Sequence, residues 1–179
     1  MKRIALVCLF AFAPFAFADV ESGPKVGEKI TELKALGVIG LQVGKEADFA
    51  AERKDEVTVY LFINAEKFDR PMNQFIKKLD AALPGISDKA ASVGVWVNGD
   101  KDKLKDRLAA IQKSVMYENT SLAIYDGNVA DLKGWAVNSS AHLTAVVVHK
   151  GKVLKSFAYE SVNGTDVKAV EELLKGIKK

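Results

Sequence analysis

Apolar and polar residues follow one another along the chain in blocks that fit strands and helices in turn. Continuous apolar runs at 57–63 (VTVYLFI), 91–97 (ASVGVWV) and 121–125 (SLAIY) predict three strands. The first run is typical of a central strand covered on both faces. Between the strands, apolar residues at helical spacing predict helices over 71–83 and 101–115.

The flanking regions complete a mixed α/β pattern. Only two residues separate the apolar runs 144–149 and 152–159, which predicts an antiparallel hairpin, and an apolar stripe after Thr165-Asp166 predicts a last helix. Residues 26–49 contain several glycines and predict one or two small hairpins. The order therefore predicts a mixed central sheet with helices on both faces and an N-terminal β-hairpin extension.

The first eighteen residues, MKRIALVCLFAFAPFAFA, have the form of a signal peptide. A positive start is followed by an apolar stretch of about 14 residues, too short to span a bilayer, and by the small-residue pattern Ala16-Phe17-Ala18. We expect cleavage after Ala18, a periplasmic or secreted protein, and no membrane anchor after cleavage. Residues 19–25 read as a flexible leader, and residues 26–179 as a single domain.

Charge and cysteine content narrow the possible functions. Cleavage removes two of the positive charges and lowers the formal net charge from +3 to +1, so nucleic acid is not an expected partner. The single cysteine, Cys8, lies in the predicted signal peptide, and the mature chain has no thiol for a disulfide, a nucleophile or a metal ligand. Phosphate-loop and calcium-loop patterns are absent, and we expect no cofactor, metal or catalytic residue of these kinds.

Two stretches, FDRPM at residues 68–72 and HLTAVVVHKGKV at residues 142–153, resemble the active-site motifs of the thioredoxin-like superfamily, in its secreted TlpA-like, redoxin-type branch. The first is FDRPM, residues 68–72, which resembles Trp-Cys-x-Pro-Cys, with Asp69 and Met72 at the cysteine positions and Pro71 retained. The second is HLTAVVVHKGKV, which resembles the strand that begins with the family's cis-proline and threonine. Leu143 occupies the proline position and Thr144 matches the threonine. The resemblance covers about residues 26–179 and implies a thioredoxin-like fold.

The resemblance also implies where this chain departs from the family's chemistry. Thiol-disulfide oxidoreductase or peroxidase activity is not expected, because both cysteines are replaced. A carboxylate at Asp69 would cap the following helix, where the family places its reactive thiolate. Without proline at Leu143, a cis peptide bond would cost about 2.5–4 kcal/mol, and we expect a trans bond.

The leading functional hypothesis is a redox-inactive module that binds an extended peptide or another secreted protein without a covalent bond. The candidate binding cleft consists of the residues at the former active-site positions: Phe68, Asp69, Arg70, Pro71, Met72, His142, Leu143 and Thr144. Four of these would either form an apolar binding rim or simply cap the core: Phe68, Pro71, Met72 and Leu143. A contiguous exposed apolar patch would favour binding.

Two alternatives stay open at the sequence level. One is a non-thiol enzyme that uses Asp69, Arg70 and His142 on a redoxin scaffold, which would bring Asp69 and His142 into contact. The other is a structural partner subunit with a self-complementary apolar surface.

Overall fold

A computed structural model describes residues 20–177 of the chain. The predicted signal peptide and its cleavage site lie outside the described residues. Within residues 20–177, no helix has the length and apolar character needed to cross a membrane.

Within residues 20–177, seven strands form one mixed sheet. The strands are β1 (Lys34–Ile39), β2 (Glu46–Asp48), β3 (Thr58–Asn64), β4 (Ala91–Val97), β5 (Thr120–Ile124), β6 (Leu143–His149) and β7 (Lys152–Tyr159). Their order across the sheet is β2-β1-β5-β4-β3-β6-β7. β3, β4 and β5 run parallel at the centre, and the other pairs are antiparallel.

The three long helices share one face of this sheet. They are α2 (Arg70–Ala82), α3 (Lys101–Val115) and α4 (Val167–Ile177), and their apolar stripes join one core cluster with Leu61, Ile63 and Trp96. The opposite face carries a second core cluster around Tyr60, Phe62 and Trp135. The four-residue helix α1 (Phe49–Glu52) and the loop that contains Trp135 cover that second face.

The sequence predicted this architecture closely. The parallel centre, the β6–β7 hairpin and the β1–β2 hairpin are confirmed. Helices lie on both faces as expected, but very unequally, since within residues 20–177 only α1 and short 3₁₀ turns face the second cluster. Residues 49–52 form α1, because the Asp48 carboxylate accepts hydrogen bonds from the N–H groups of Ala50 (3.0 Å) and Ala51 (3.3 Å).

A flexible leader was expected at residues 19–25, of which the structure describes residues 20–25. Residues 20–25, here named the N-terminal strap, lie against the sheet. The N–H of Gly23 donates to the Ala136 carbonyl (2.9 Å), the Ser156 hydroxyl donates to the Pro24 carbonyl (2.6 Å), and the Ser22 and Thr144 hydroxyls are 2.6 Å apart. These contacts join residues more than a hundred positions apart, so local composition carries no sign of them.

Candidate functional site

The motif residues at the start of α2 form a helix cap. The Asp69 carboxylate accepts a hydrogen bond from the N–H of Met72 at 2.9 Å, and Pro71 occupies the first turn, where its missing N–H costs nothing. Asp69, Arg70 and Pro71 are exposed. Asp69, at the position where the thioredoxin-like superfamily places its thiolate, therefore serves here as the cap at which α2 begins.

Two of the four expected rim residues belong to the core. Met72 is 1% exposed and Leu143 is fully buried, and both pack in the cluster beneath α2 and α4. Every peptide bond within residues 20–177 is trans, including the bond before Leu143. Only Phe68 and Pro71 of the expected apolar rim reach the surface, and they do not form a broad patch.

A clamp that the sequence interpretation missed covers Phe68. The Arg107 guanidinium of α3 donates to the carbonyls of Ala65 (2.9 Å) and Phe68 (3.3 Å) and lies 5.3 Å from the centre of the Phe68 ring. The Phe68 ring in turn packs on Trp96, with centroids 4.5 Å apart. Arg107 ties the loop between β3 and α2 to α3. No spacing pattern could have revealed it, because it lies beside the apolar stripe of α3 rather than on it.

The second motif is divided between the two faces of the sheet. Leu143 packs with the α2 cluster, whereas the Thr144 hydroxyl meets Ser22 of the strap on the opposite face. The backbone of His142 accepts from the Asn64 N–H (3.0 Å) and donates to the Tyr159 carbonyl (2.8 Å). Within the described residues, no hydrogen bond or ion pair joins Asp69 and His142. The structure therefore does not gather the eight predicted residues into one cleft.

A groove lies elsewhere, along the outer edge of β7. It has a volume of about 790 Å³ and is named here the edge groove. The N-terminal strap lines it on one side, residues 155–159 of β7 line its length, and Asp166 and Ala169 beside α4 line the other side. The ring of Phe157 is half-buried in this groove, with the Lys155 ammonium 4.8 Å from its centre.

The first part of the β7 edge already carries an added segment. Residues 27–30 pair with it: the Gly27 N–H donates to the Val153 carbonyl (2.8 Å), the Val153 N–H donates to the Glu28 carbonyl (2.9 Å), and Lys29 and Lys152 form an antiparallel bridge. Beyond Val153, no strand within residues 20–177 pairs with the outer side of β7. The edge is thus closed at its start and open along 154–158.

The described residues contain no cluster of His, Cys, Asp and Glu that could hold a metal ion. Asp80 on α2 has the one buried carboxylate among residues 20–177, and it accepts hydrogen bonds from the Asn119 N–H (2.8 Å), the Thr120 hydroxyl (2.7 Å) and the Glu118 N–H (3.2 Å). These bonds join the end of α2 to the segment before β5.

Comparisons with known proteins place the fold. No protein-family model and no curated protein matches the chain. Among solved structures, it is similar to peroxidoxin BcpB from Mycobacterium tuberculosis, with 16% identity, 87% of this chain and 99% of that chain covered, and a TM-score of 0.64. A DsbF homologue from Corynebacterium diphtheriae gives 18% identity, 89% and 95% coverage, and a TM-score of 0.62.

The exposed lipoprotein thioredoxin Etrx1 from Streptococcus pneumoniae is also similar, with 16% identity, 82% of this chain and 99% of that chain covered, and a TM-score of 0.57. At these identities the likeness concerns the architecture alone. Because the neighbours are thioredoxin-like proteins and the alignments span most of both chains, this protein has a thioredoxin-like fold.

Proposed function

We propose that this protein is a thioredoxin-like binding module without thiol chemistry, which holds an extended polypeptide segment along the outer edge of β7. The observation that carries the proposal is the pairing of residues 27–30 with the beginning of that edge. A segment of the chain itself thus lies antiparallel to the start of this edge. The same edge continues into the edge groove, where no strand of residues 20–177 pairs with the outer side of residues 154–158.

The chemistry of the edge groove suits an extended peptide. Main-chain groups of an edge strand supply affinity for any extended segment, and pockets beside the strand select alternate side chains. The half-buried Phe157 ring offers an apolar contact on the α4 side, and Ser156 and the strap offer polar groups on the other side. The candidate binding cleft at the former active-site positions offers a peptide less apolar surface, since Met72 and Leu143 are buried.

Thiol chemistry is excluded from the proposal by residue type. Disulfide exchange and thiol peroxidation need a thiolate, and residues 19–179 contain no cysteine. The predicted signal peptide supports a periplasmic or secreted location. The absence of cysteine supports a protein that has the thioredoxin-like fold without thiol-based electron transfer.

The direct test is selection of phage-displayed random peptides against residues 19–179, followed by amide hydrogen exchange with a selected synthetic peptide. We expect slower exchange at residues 154–159 when the peptide is bound. Failure to select any peptide, or slower exchange confined to residues 66–72 and 141–144, would contradict binding at the β7 edge.

Two variants separate the edge groove from general effects on folding. Phe157→Ala removes the apolar contact and is expected to weaken peptide binding about tenfold, as for a buried aromatic interface residue. Tyr125→Ala removes another half-buried aromatic ring at a distance from the groove and should leave the affinity unchanged. The purified mature chain should also fail to reduce insulin, and measurable turnover would overturn the absence of thiol chemistry.

A further inference from the structure

A second groove lies at the hairpin turn between β6 and β7, and four lysines surround it. It has a volume of about 440 Å³ and shares no lining residue with the edge groove. We name it the lysine groove after the four lysines in its lining, Lys29, Lys54, Lys150 and Lys152.

Three separate parts of the chain bring these lysines together. Lys29 and Lys152 are partners in the antiparallel bridge that attaches residues 27–30 to β7. Lys150 lies in the two-residue turn, where it and Gly151 have positive φ angles of 52° and 68°. The turn that follows α1 contributes Lys54. Its carbonyl oxygen would lie 3.8 Å from a Cβ atom added to Gly151. The cluster is therefore a product of the fold and not of one basic run.

The lysines outnumber the carboxylates in this groove, whose lining has four positive and two negative side chains. None of the four takes part in an ion pair within residues 20–177. Only two acidic residues line the groove, and both are engaged elsewhere. The Glu32 carboxylate pairs with Lys34 at 2.7 Å, and the Asp48 carboxylate accepts the N–H groups of Leu33 and of α1. The four lysines are exposed and give this groove an excess of positive charge, although the net charge of the mature chain is close to zero.

The residue type indicates the class of ligand. One exposed lysine–anion pair contributes only about 0.2–1 kcal/mol, so an anion with a single charge is held weakly. An anion with several charges can engage several lysines at once. Lysine binds phosphate as a point charge, without the planar, bidentate geometry of arginine. The volume falls within the range of small-ligand sites, about 300–1,000 Å³.

We propose that the lysine groove binds a small multivalent anion of the phosphate class. Inorganic pyrophosphate is the probe, titrated into residues 19–179 at low ionic strength with isothermal calorimetry and amide chemical shifts as readouts. We expect saturable binding, shifts at residues 29–32 and 150–152, and an affinity that falls as salt is added. Absence of saturation, or shifts spread over the whole surface, would overturn the proposal.

A matched pair of variants distinguishes the site from net charge. The quadruple variant Lys29→Gln, Lys54→Gln, Lys150→Gln and Lys152→Gln should weaken pyrophosphate binding about tenfold or more. The control removes four other exposed lysines, at Lys103, Lys113, Lys133 and Lys168, and should bind within about twofold of the parent. Equal weakening in both variants, at equal thermal stability, would overturn the proposal.

The source of the phosphate group is tested with vesicles. Phosphatidylglycerol and phosphatidylcholine vesicles are compared by co-sedimentation with the parent protein. We expect a free anion to be the ligand, so that neither vesicle retains the protein while pyrophosphate binds. Retention on phosphatidylglycerol that pyrophosphate does not compete away would overturn the small-ligand proposal in favour of a lipid surface.

Discussion

At the scale of single residues, Asp69, Met72 and Leu143 have structural roles at positions where the thioredoxin-like superfamily places its active-site residues. Asp69 caps α2, and Met72 fills the core beneath it. Leu143 packs where the resembling family places its cis-proline, and the trans bond before it is compatible with leucine. The replacements thus contribute to stability, and a test of their roles is a test of unfolding.

Replacement of Asp69 by alanine should lower the free energy of unfolding by about 1 kcal/mol, because the N–H of Met72 loses its side-chain acceptor. Asp69→Asn should restore most of that loss, since asparagine also caps helices. Urea denaturation measures both values. Asp106→Ala, at an exposed position of α3, is the control and should change stability by less than about 0.5 kcal/mol. A loss in the control as large as in Asp69→Ala would contradict the cap.

At the scale of elements, α2 is held at both ends by other parts of the chain. Arg107 fixes the loop before its first turn, and the buried Asp80 binds the segment 118–120 near its last turn. The thioredoxin-like helix is therefore positioned by α3 and by the approach to β5, without any contribution from a disulfide.

Asp80→Ala should lower the free energy of unfolding by about 1–3 kcal/mol, because the part-buried N–H of Asn119 loses its acceptor and the buried Thr120 hydroxyl keeps only Ser92 as a partner. Asp80→Asn keeps one carbonyl acceptor, and a smaller loss is expected. Denaturant midpoints provide the measurement. A loss below about 1 kcal/mol for Asp80→Ala would show that water replaces the carboxylate without cost.

Gly23 in the N-terminal strap and Gly27 in the segment after it are a matched pair of glycines for a second prediction. Gly23 and Gly27 both have positive φ, at 98° and 85°, so that a Cβ atom strains either backbone. A Cβ on Gly23 would also lie 2.6 Å from the Ser156 side chain, whereas one on Gly27 would meet nothing within 4 Å. Gly23→Ala should therefore release the strap.

Limited proteolysis should cleave the Gly23→Ala variant between residues 20 and 26 faster than the parent. Gly27→Ala should lose only about 1 kcal/mol of stability through backbone strain and leave the strap protected. Equal cleavage of the two variants would mean that contact with Ser156 does not hold the strap.

At the scale of the whole molecule, the elements could be predicted from sequence, and their long-range contacts could not. The strand at 91–97 and the helix at 101–115 coincide with β4 and α3, because a short apolar run and an apolar helical stripe are local signals. The Arg107 clamp, the strap and the open edge of β7 each depend on residues distant in sequence. Periodicity carries no information on such pairs, and it left open whether Phe68, Pro71, Met72 and Leu143 form an apolar rim or cap the core.

Alkaline stability is a property of the whole molecule that follows from its buried tyrosines. Burial raises the pKa of Tyr60 well above its ordinary value of 10.0, and burial and then the charge of Asp80 do the same for Tyr117. Above pH 10 the unfolded chain releases these protons while the folded chain retains them. The stability that depends on the neutral rings is therefore complete below pH 10 and decreases as the pH rises further.

The urea midpoint should accordingly fall between about pH 10 and pH 12, together with late ionisation of tyrosine in the near-ultraviolet spectrum. Tyr60→Phe should be less stable at pH 8, because it loses the hydrogen bond to the Phe49 carbonyl (3.1 Å), but its midpoint should fall less steeply with pH. Burial also raises the pKa of the half-buried Tyr125, but less strongly, so Tyr125→Phe should change the slope less than Tyr60→Phe does. Equal slopes for Tyr60→Phe and the parent would show that the Tyr60 proton is not linked to folding.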